Sequence, residues 1–538
     1  MVINRKNLPA MNKTRRVFLK QAAFSAAGIG LAPLLTQCKS AGKTTSARAF
    51  TFDRVSPESQ GVASGGILDF IRAADDSNFE WHSFMLLRHG NVIAEGWWEP
   101  FAPAFRHTLY SLSKSFTSTA VGLAIDEGKL RLDDKVISFF PDQLPEVVSD
   151  NLKAMRIRDL LTMTTGHSTD SFPAILQRYE KPWVPTFLSR PVEYEPGTHF
   201  VYNTGATFML SAIVQKVTGQ PVEDFLKPRL FDPLGITAYD WEKSPEGVNA
   251  GGFGLRVNTE AIARFGQLYL QNGQWQGRQV FPAEWVREAT KKQTDSYPGD
   301  GEWSQGYGYQ FWRCKPETVY RGDGAYGQFC IVMPKYDAVM AVTSESWDMA
   351  KSLEIIFDHL LPAFSDAAIP GDAGTQDQLK AAASRLQLPV SKGSKASERS
   401  AWIRGKKFRM DDNPFGVEAI RFHFENGQCV LEWTAGASTR TIKAGMGNWH
   451  LSDDRPVNPF PVFFRTDVPS RIAATATWTA PDTLQIHLKF VEGIHGDTYT
   501  CRFEEKTVEM NLLNSVAEHD SNERNKERRE VLKGTLVM

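Results

Sequence analysis

The sequence predicts an α/β domain followed by a smaller all-β domain, and two observations carry that expectation. An early hairpin pattern and a late group of strand patterns enclose a series of helix patterns, so one sheet is built from both ends of the first domain. Beyond residue 400 the chain carries only short alternating or β-branched runs separated by turn residues.

Bulk properties agree with two domains and exclude several functions. A chain of 538 residues exceeds one ordinary domain. Hydrophobic residues at 42% and charged residues at 23% give a globular composition. The formal net charge of -1 leaves no basic footprint for nucleic acid. The body has no apolar stretch of about eighteen residues, so no internal membrane span is expected.

Residues 1–38 read as an export signal. The run Arg15-Arg16-Val17-Phe18-Leu19-Lys20 precedes an apolar, small-residue stretch from Ala22 to Leu35, which is a basic region followed by a short apolar one. The paired arginines resemble a twin-arginine signal. Leu35-Thr36-Gln37-Cys38 resembles a lipoprotein cleavage box, with Gln37 where a small residue is usual. Cys38 is therefore a candidate for lipidation and membrane anchoring, with plain cleavage as the alternative. Either outcome makes the protein exported, periplasmic or membrane-anchored. Residues 39–49 form a polar linker.

The first domain spans residues 50–365. Residues 83–88 and 91–97 flank His89-Gly90 and read as a hairpin. From 111 to 127 apolar residues recur at helical spacing, with Gly128 as the stop. Residues 206–218, stopped by Gly219, and 258–272, stopped by Gly273, give two more helices. Phe311 and residues 330–333 and 338–344 read as late strands. Residues 366–400 are small and polar around one short helix at 378–386, which reads as a linker. The all-β domain spans 401–508, with strands at 419–425, 428–434, 438–444, 472–479, 483–490 and 499–504. Residues 509–538 read as a charged tail, disordered or loosely helical.

Four cysteines follow Cys38: Cys314, Cys330, Cys429 and Cys501. Their spacing matches no metal pattern, and buried free thiols are expected, with Cys314 and Cys330 the one pair to check for a disulfide. Eleven histidines contain no His-Glu-x-x-His motif, so neither a metal nor another cofactor is expected. The pair Trp97-Trp98 suits packing or the lining of a cleft.

The chemistry centres on Ser111-Leu112-Ser113-Lys114 at the start of a predicted helix. A serine hydroxyl needs an adjacent base. Residues three apart share a helix face, so Lys114 reaches Ser111, and a lysine kept partly neutral by burial can take its proton. The pattern is weak alone: Ser40-Ala41-Gly42-Lys43 matches it inside the linker. Read alone, Ser111 is better explained as a helix N-cap beside a solvated lysine.

The surrounding sequence changes that balance. His107-Thr108-Leu109-Tyr110-Ser111-Leu112-Ser113-Lys114-Ser115-Phe116-Thr117 resembles the nucleophile helix of the class C β-lactamase-like family, which includes penicillin-binding DD-peptidases, esterases and 6-aminohexanoate-dimer hydrolases. The likeness continues through Ile157-Arg158-Asp159-Leu160-Leu161-Thr162-Met163-Thr164-Thr165-Gly166, then Pro196-Gly197-Thr198-His199-Phe200-Val201-Tyr202, over roughly residues 50 to 362. It implies a helical subdomain beside an antiparallel sheet flanked by helices, with the active site between. It implies Ser111 as nucleophile, Lys114 as base or proton relay and Tyr202 as their partner. It also implies an oxyanion hole made by the backbone N–H groups of Ser111 and Ala325.

Two departures from the family pattern bear on substrate. The second motif, usually Tyr-x-Asn, is Tyr202-Asn203-Thr204, so Asn203 stands one place early as a candidate for holding substrate. The third motif aligns with Gly322-Asp323-Gly324, which lacks the usual cationic or imidazole side chain; Asp323 and Gly324 are the candidate substrate contacts there. Asp323 would repel the carboxylate that β-lactams and D-Ala-D-Ala termini carry. Arg321 is the one substitute cation, although strand alternation turns it away from Gly322. The primary expectation is a serine hydrolase acting on a small ester, amide or peptide. The alternatives are a D-Ala-D-Ala peptidase or β-lactamase anchored by Arg321, and a non-hydrolytic binding protein of the cell envelope.

Overall fold

The computed structural model describes residues 50–452, 470–519, 523 and 525–537. The expected export signal, Cys38 and the expected linker at 39–49 lie outside the described residues. Helix α1 (Ser64–Asp76) is followed by the hairpin of β1 (Glu80–Arg88) and β2 (Asn91–Trp97). His89 and Gly90 both have left-handed φ, 50° and 75°, the backbone that a tight two-residue hairpin turn requires. Helices α2 (Ser113–Asp126), α3 (Thr204–Thr218) and α4 (Thr259–Leu270) come next. Strands β3 (Trp312–Arg313), β4 (Tyr320–Gly324), β5 (Gln328–Met333) and β6 (Ala338–Glu345) precede α5 (Met349–Leu360) and α6 (Ala373–Ala383).

The six strands form one antiparallel sheet in the order β2-β1-β6-β5-β4-β3, so the early hairpin joins the late strands through β1 and β6. Both faces are covered, which explains why Phe84-Met85-Leu86-Leu87 is apolar throughout rather than alternating. Phe84 and Leu86 enter the core beneath α1 and α5, while Met85 and Leu87 enter the larger core shared with the helices. Helix α2 is buried from Ser113 to Ala124, packs against α3, and stacks Phe116 on Phe265 of α4 at 4.0 Å. Trp98 is buried with its indole N–H donating to Asp75, so it packs rather than lining a cleft.

The stretch expected as a linker is packed instead. Its helix is α6, which lies against α1, and Leu379, Leu386 and Leu388 are buried in the sheet's core. The apolar residues are sparse, and the polar remainder is the exposed face of a covering segment. All four described cysteines are free and buried.

The second domain is a closed barrel. Its strands are β7 (Lys407–Met410), β8 (Ala419–Glu425), β9 (Gln428–Ala435), β10 (Ser438–Met446), β11 (His450–Leu451), β12 (Ile472–Ala480), β13 (Thr483–Phe490), β14 (Gly496–Phe503), β15 (Thr507–Asn514) and β16 (Leu532–Leu536). Neighbours run β10-β9-β8-β7-β16-β15-β14-β13-β12, and a short parallel pairing of β10 with β12 closes the ring. Closure removes the open strand edges. The expected charged tail is corrected here: β15 and β16 are barrel strands. Val508, Met510 and Leu512 alternate inward between charged or polar outward residues, so a two-residue period reads as a polar segment.

Barrel and first domain meet at β13 and the turn after it. Val491 of that turn is buried in the core beneath the sheet. Lys489 Nζ lies 2.5 Å from Glu80 and 3.2 Å from Glu345, which are directly opposite each other on β1 and β6. Glu80, His82 and Glu345 bring possible ligand atoms within 4.8 Å of one another, but the Lys489 ammonium already supplies the positive charge there.

Candidate active site

Ser111 lies in a single 3-10 turn, Tyr110–Leu112, that leads directly into α2. Tyr110 has φ 46°, a left-handed conformation that costs a non-glycine residue on the order of 1–3 kcal/mol. Strand β4 runs tightly alongside. A methyl group at Gly324 would overlap the Leu109 carbonyl oxygen, and one at Gly322 would lie 2.5 Å from Leu112 Cδ1. Only glycine permits this approach of β4 to the serine turn.

Lys114 is 1% exposed. Its Nζ lies 3.0 Å from Ser111 Oγ, and donates to Gly252 O at 2.8 Å and Thr204 Oγ1 at 3.3 Å. Burial lowers the amine to about 7, with the carboxylates of Asp170 and Asp323 opposing the shift. Near neutral pH a large fraction is therefore the free amine, whose lone pair can accept the serine proton.

The ring of Tyr202 lies 4.9 Å from Lys114 Nζ and stacks on Trp312 at 5.5 Å, with the Ser111 hydroxyl among the groups acting on its phenol. Burial, reinforced by Asp323, pushes the phenol well above its ordinary range. The group stays protonated and is suited to donating a proton rather than holding a phenolate. Sequence reasoning paired Lys114 with Ser111 in one motif and added Tyr202 through the family resemblance, and the structure brings the three side chains together.

The substrate candidates fare differently. Asn203 is fully buried, and its Oδ1 accepts from Ser171 Oγ at 2.7 Å and from Ala206 N as the cap of α3. Its one-residue displacement in the motif turns it from a substrate contact into a helix cap. Asp323 is also corrected: it is buried and accepts from Arg321 Nε at 3.0 Å and Trp303 Nε1 at 3.1 Å. Gly324 serves the close approach to Leu109. Arg321 is wholly buried, with Asp323 and Glu302 as ion-pair partners and the Trp303 ring beneath it at 4.9 Å. It is committed inward and offers no anchor for a carboxylate. Ala325 follows β4 directly, and among the described residues its N–H has no acceptor.

Three contributors escaped the sequence reading. Thr204 and Gly252 bind the Lys114 amine from 90 and 138 positions away. Asp170 accepts from the backbone of Phe172 and Thr204, both at 2.9 Å, and is the first of the carboxylates favouring the charged lysine. No local pattern marks these residues, because each is brought in by the packing of α3 and its flanking loops.

Comparison with known proteins places this geometry in context. The family described as Beta-lactamase matches residues 74–361. The chain is 28% identical over 294 residues to the 6-aminohexanoate-dimer hydrolase of Paenarthrobacter ureafaciens, covering 49% of this chain and 72% of that protein. It is 23% identical over 256 residues to a beta-lactamase of Escherichia coli (strain K12), covering 41% of this chain and 62% of that protein. A second Escherichia coli (strain K12) protein, one named for a D-alanyl-D-alanine carboxypeptidase, is 31% identical over 144 residues, 24% of this chain and only 33% of its own length. Among solved structures, the octameric penicillin-binding protein homologue from Pyrococcus abyssi is 15% identical at a TM-score of 0.46, covering 87% of this chain and 98% of that one.

Proposed function

The chain belongs to the beta-lactamase family, and from that premise we propose that it is a serine hydrolase cleaving an ester or amide through an acyl-enzyme at Ser111. The observation that carries this reading is the 3.0 Å contact of Ser111 Oγ with an amine that burial lowers to about 7.

In the proposed reaction neutral Lys114 takes the proton of Ser111 as Oγ attacks the substrate carbonyl. The backbone N–H groups of Ser111 and Ala325 hold the developing oxyanion; one such donor contributes about 3 kcal/mol of transition-state stabilisation. Tyr202 gives its phenolic proton to the leaving group and recovers it from Lys114. Water then repeats the attack on the acyl-enzyme and releases Ser111.

Esters and non-β-lactam amides are the favoured substrates. Arg321, the substitute for the missing third-motif cation, is spent on Asp323 and Glu302. We place the reaction outside the cytoplasm on account of Arg15-Arg16 and the apolar stretch behind them, with Cys38 as the candidate lipid anchor.

The test is labelling of the purified protein with a fluorophosphonate probe and turnover of p-nitrophenyl esters, alongside Ser111→Ala. Labelling and turnover that vanish together in the variant support the acyl-enzyme. Folded wild-type protein that neither labels nor turns over would instead favour a binding protein. Covalent capture of benzylpenicillin at Ser111 would favour the peptidase or β-lactamase reading.

A further inference from the structure

The turn between β13 and β14 carries His495 from the barrel to the edge of the serine turn. The imidazole Nδ1 lies 2.7 Å from Glu345 Oε1, and Nε2 lies 2.7 Å from the Tyr110 hydroxyl. An ionised carboxylate only accepts, so Nδ1–H donates to Glu345, and in the neutral ring Nε2 then accepts from the phenol. Glu345 is itself held by Ser515 Oγ at 2.5 Å and Lys489 Nζ at 3.2 Å, both from the barrel. The ring orientation is thus fixed from two sides.

His495 also meets Tyr326 edge-on, with ring centroids 4.7 Å apart, and Tyr110 and Tyr326 contact each other at 5.4 Å. These two tyrosines stand in matching places. Tyr110 precedes Ser111, and Tyr326 follows Ala325. Both have left-handed φ, 46° and 65°. The left-handed φ of Tyr326 belongs to the tight β4–β5 turn, where Gly327 follows with φ 86°. The neighbour common to both tyrosine side chains is the imidazole of His495. Each tyrosine is bonded directly to the residue whose N–H faces the site, so holding the two side chains holds the backbone that carries both N–H groups.

We propose that His495 is a positioning residue for the oxyanion hole: it clamps Tyr110 and Tyr326, aims the N–H groups of Ser111 and Ala325, and so makes the barrel a working part of the active site. This rests on the Ser111 acyl-enzyme reading. It gives the second domain a role in the chemistry of the first, one that its 384-residue separation from Ser111 hides in the sequence.

The test uses the full chain as Tyr110→Phe, His495→Asn, the double variant and Ser111→Ala. It measures kcat and KM for a p-nitrophenyl ester, the rate of fluorophosphonate labelling, and Tm. Asparagine retains an N–H directed at Glu345 and loses the acceptor for Tyr110, so docking of the barrel is preserved. Each single variant should lose roughly ten- to hundredfold in kcat and in labelling rate, the scale of a small misplacement of catalytic groups, with KM within about threefold and Tm near wild type. The double variant should be no slower than the slower single one. Wild-type kcat in Tyr110→Phe, a change confined to KM, or losses that multiply in the double variant would each overturn the proposal. Should His495→Asn not fold, Tyr110→Phe decides alone. Turnover and labelling that persist in Ser111→Ala would instead refute the underlying acyl-enzyme, which is a separate failure.

Discussion

Lys114 Nζ sits 3.0 Å from Ser111 Oγ, and among the described residues its amine forms no ion pair. A base so placed acts only when neutral. Activity on a neutral ester should therefore rise with pH through about 7 as a single ionisation, the value to which burial brings the amine. Lys114→Arg should show no such limb and should lose roughly 10²–10⁴-fold, because guanidinium stays charged throughout the accessible range. Profiles of kcat/KM from pH 5 to 9 check both statements. A flat wild-type profile would remove Lys114 as the base.

The same shift makes Lys114 a cost to the fold. Its pKa is lowered on folding, from 10.5 to about 7, so between those values the unfolded chain binds more protons and stability rises with pH. Below about 7 both states are charged and the burial cost is complete. Lys114→Met keeps the length of the side chain and removes the charge. It should be inactive yet more stable than wild type by roughly a few kcal/mol at pH 6, with the gap narrowing towards pH 10. Urea midpoints at pH 6 and pH 9 measure it. A less stable methionine variant at pH 6 would mean that the amine's hydrogen bonds outweigh its burial.

How the sequence discloses some of this and hides the rest follows from the range of each signal. The hairpin at His89-Gly90 and the stops at Gly128 and Gly219 are local backbone demands, and the observed β1, β2, α2 and α3 follow them. Ser111 and Lys114 share one helical turn, so their contact is also local. Asp170, Thr204 and Gly252 reach Lys114 only through packing of distant segments. Asn203 and Asp323 show the converse limit. Their residue types suit substrate binding, but the polar demands of a helix terminus and of buried Arg321 use them first. Strands β7, β15 and β16 were hidden because outward charge masks a two-residue period.

Gly322 and Gly324 should differ as sites of substitution. A methyl at Gly322 meets the terminal carbon of Leu112 and the hydroxyl of Ser115, which are side-chain atoms that can move. A methyl at Gly324 meets a backbone carbonyl on the turn bearing Ser111, which cannot. Gly324→Ala should push β4 and Ala325 away from Ser111, costing about 1–3 kcal/mol of stability by overpacking and most of kcat. Gly322→Ala should lose less of both. Unfolding midpoints and ester turnover check the order; equal kcat for the two variants would contradict it.

Glu80 and Glu345 face each other across β1 and β6, an arrangement that would repel without a cation between them. Burial alone would raise both carboxyls, yet the Lys489 ammonium holds each below its ordinary value. Carboxyls lowered in this way add stability above about 4.5, and that stability is lost as pH falls below it. Lys489→Met should reverse the sign. The two buried carboxyls, left to burial and mutual repulsion, would rise, and the folded variant would bind protons more readily than the unfolded chain. Its deficit against wild type should be about 3–5 kcal/mol at pH 8, the cost of breaking a buried pair, and should shrink as pH falls towards 5. Paired urea titrations at pH 8 and pH 5 read this directly. A deficit independent of pH would mean that Lys489 acts through packing of its stem rather than as the counterion that joins barrel and sheet.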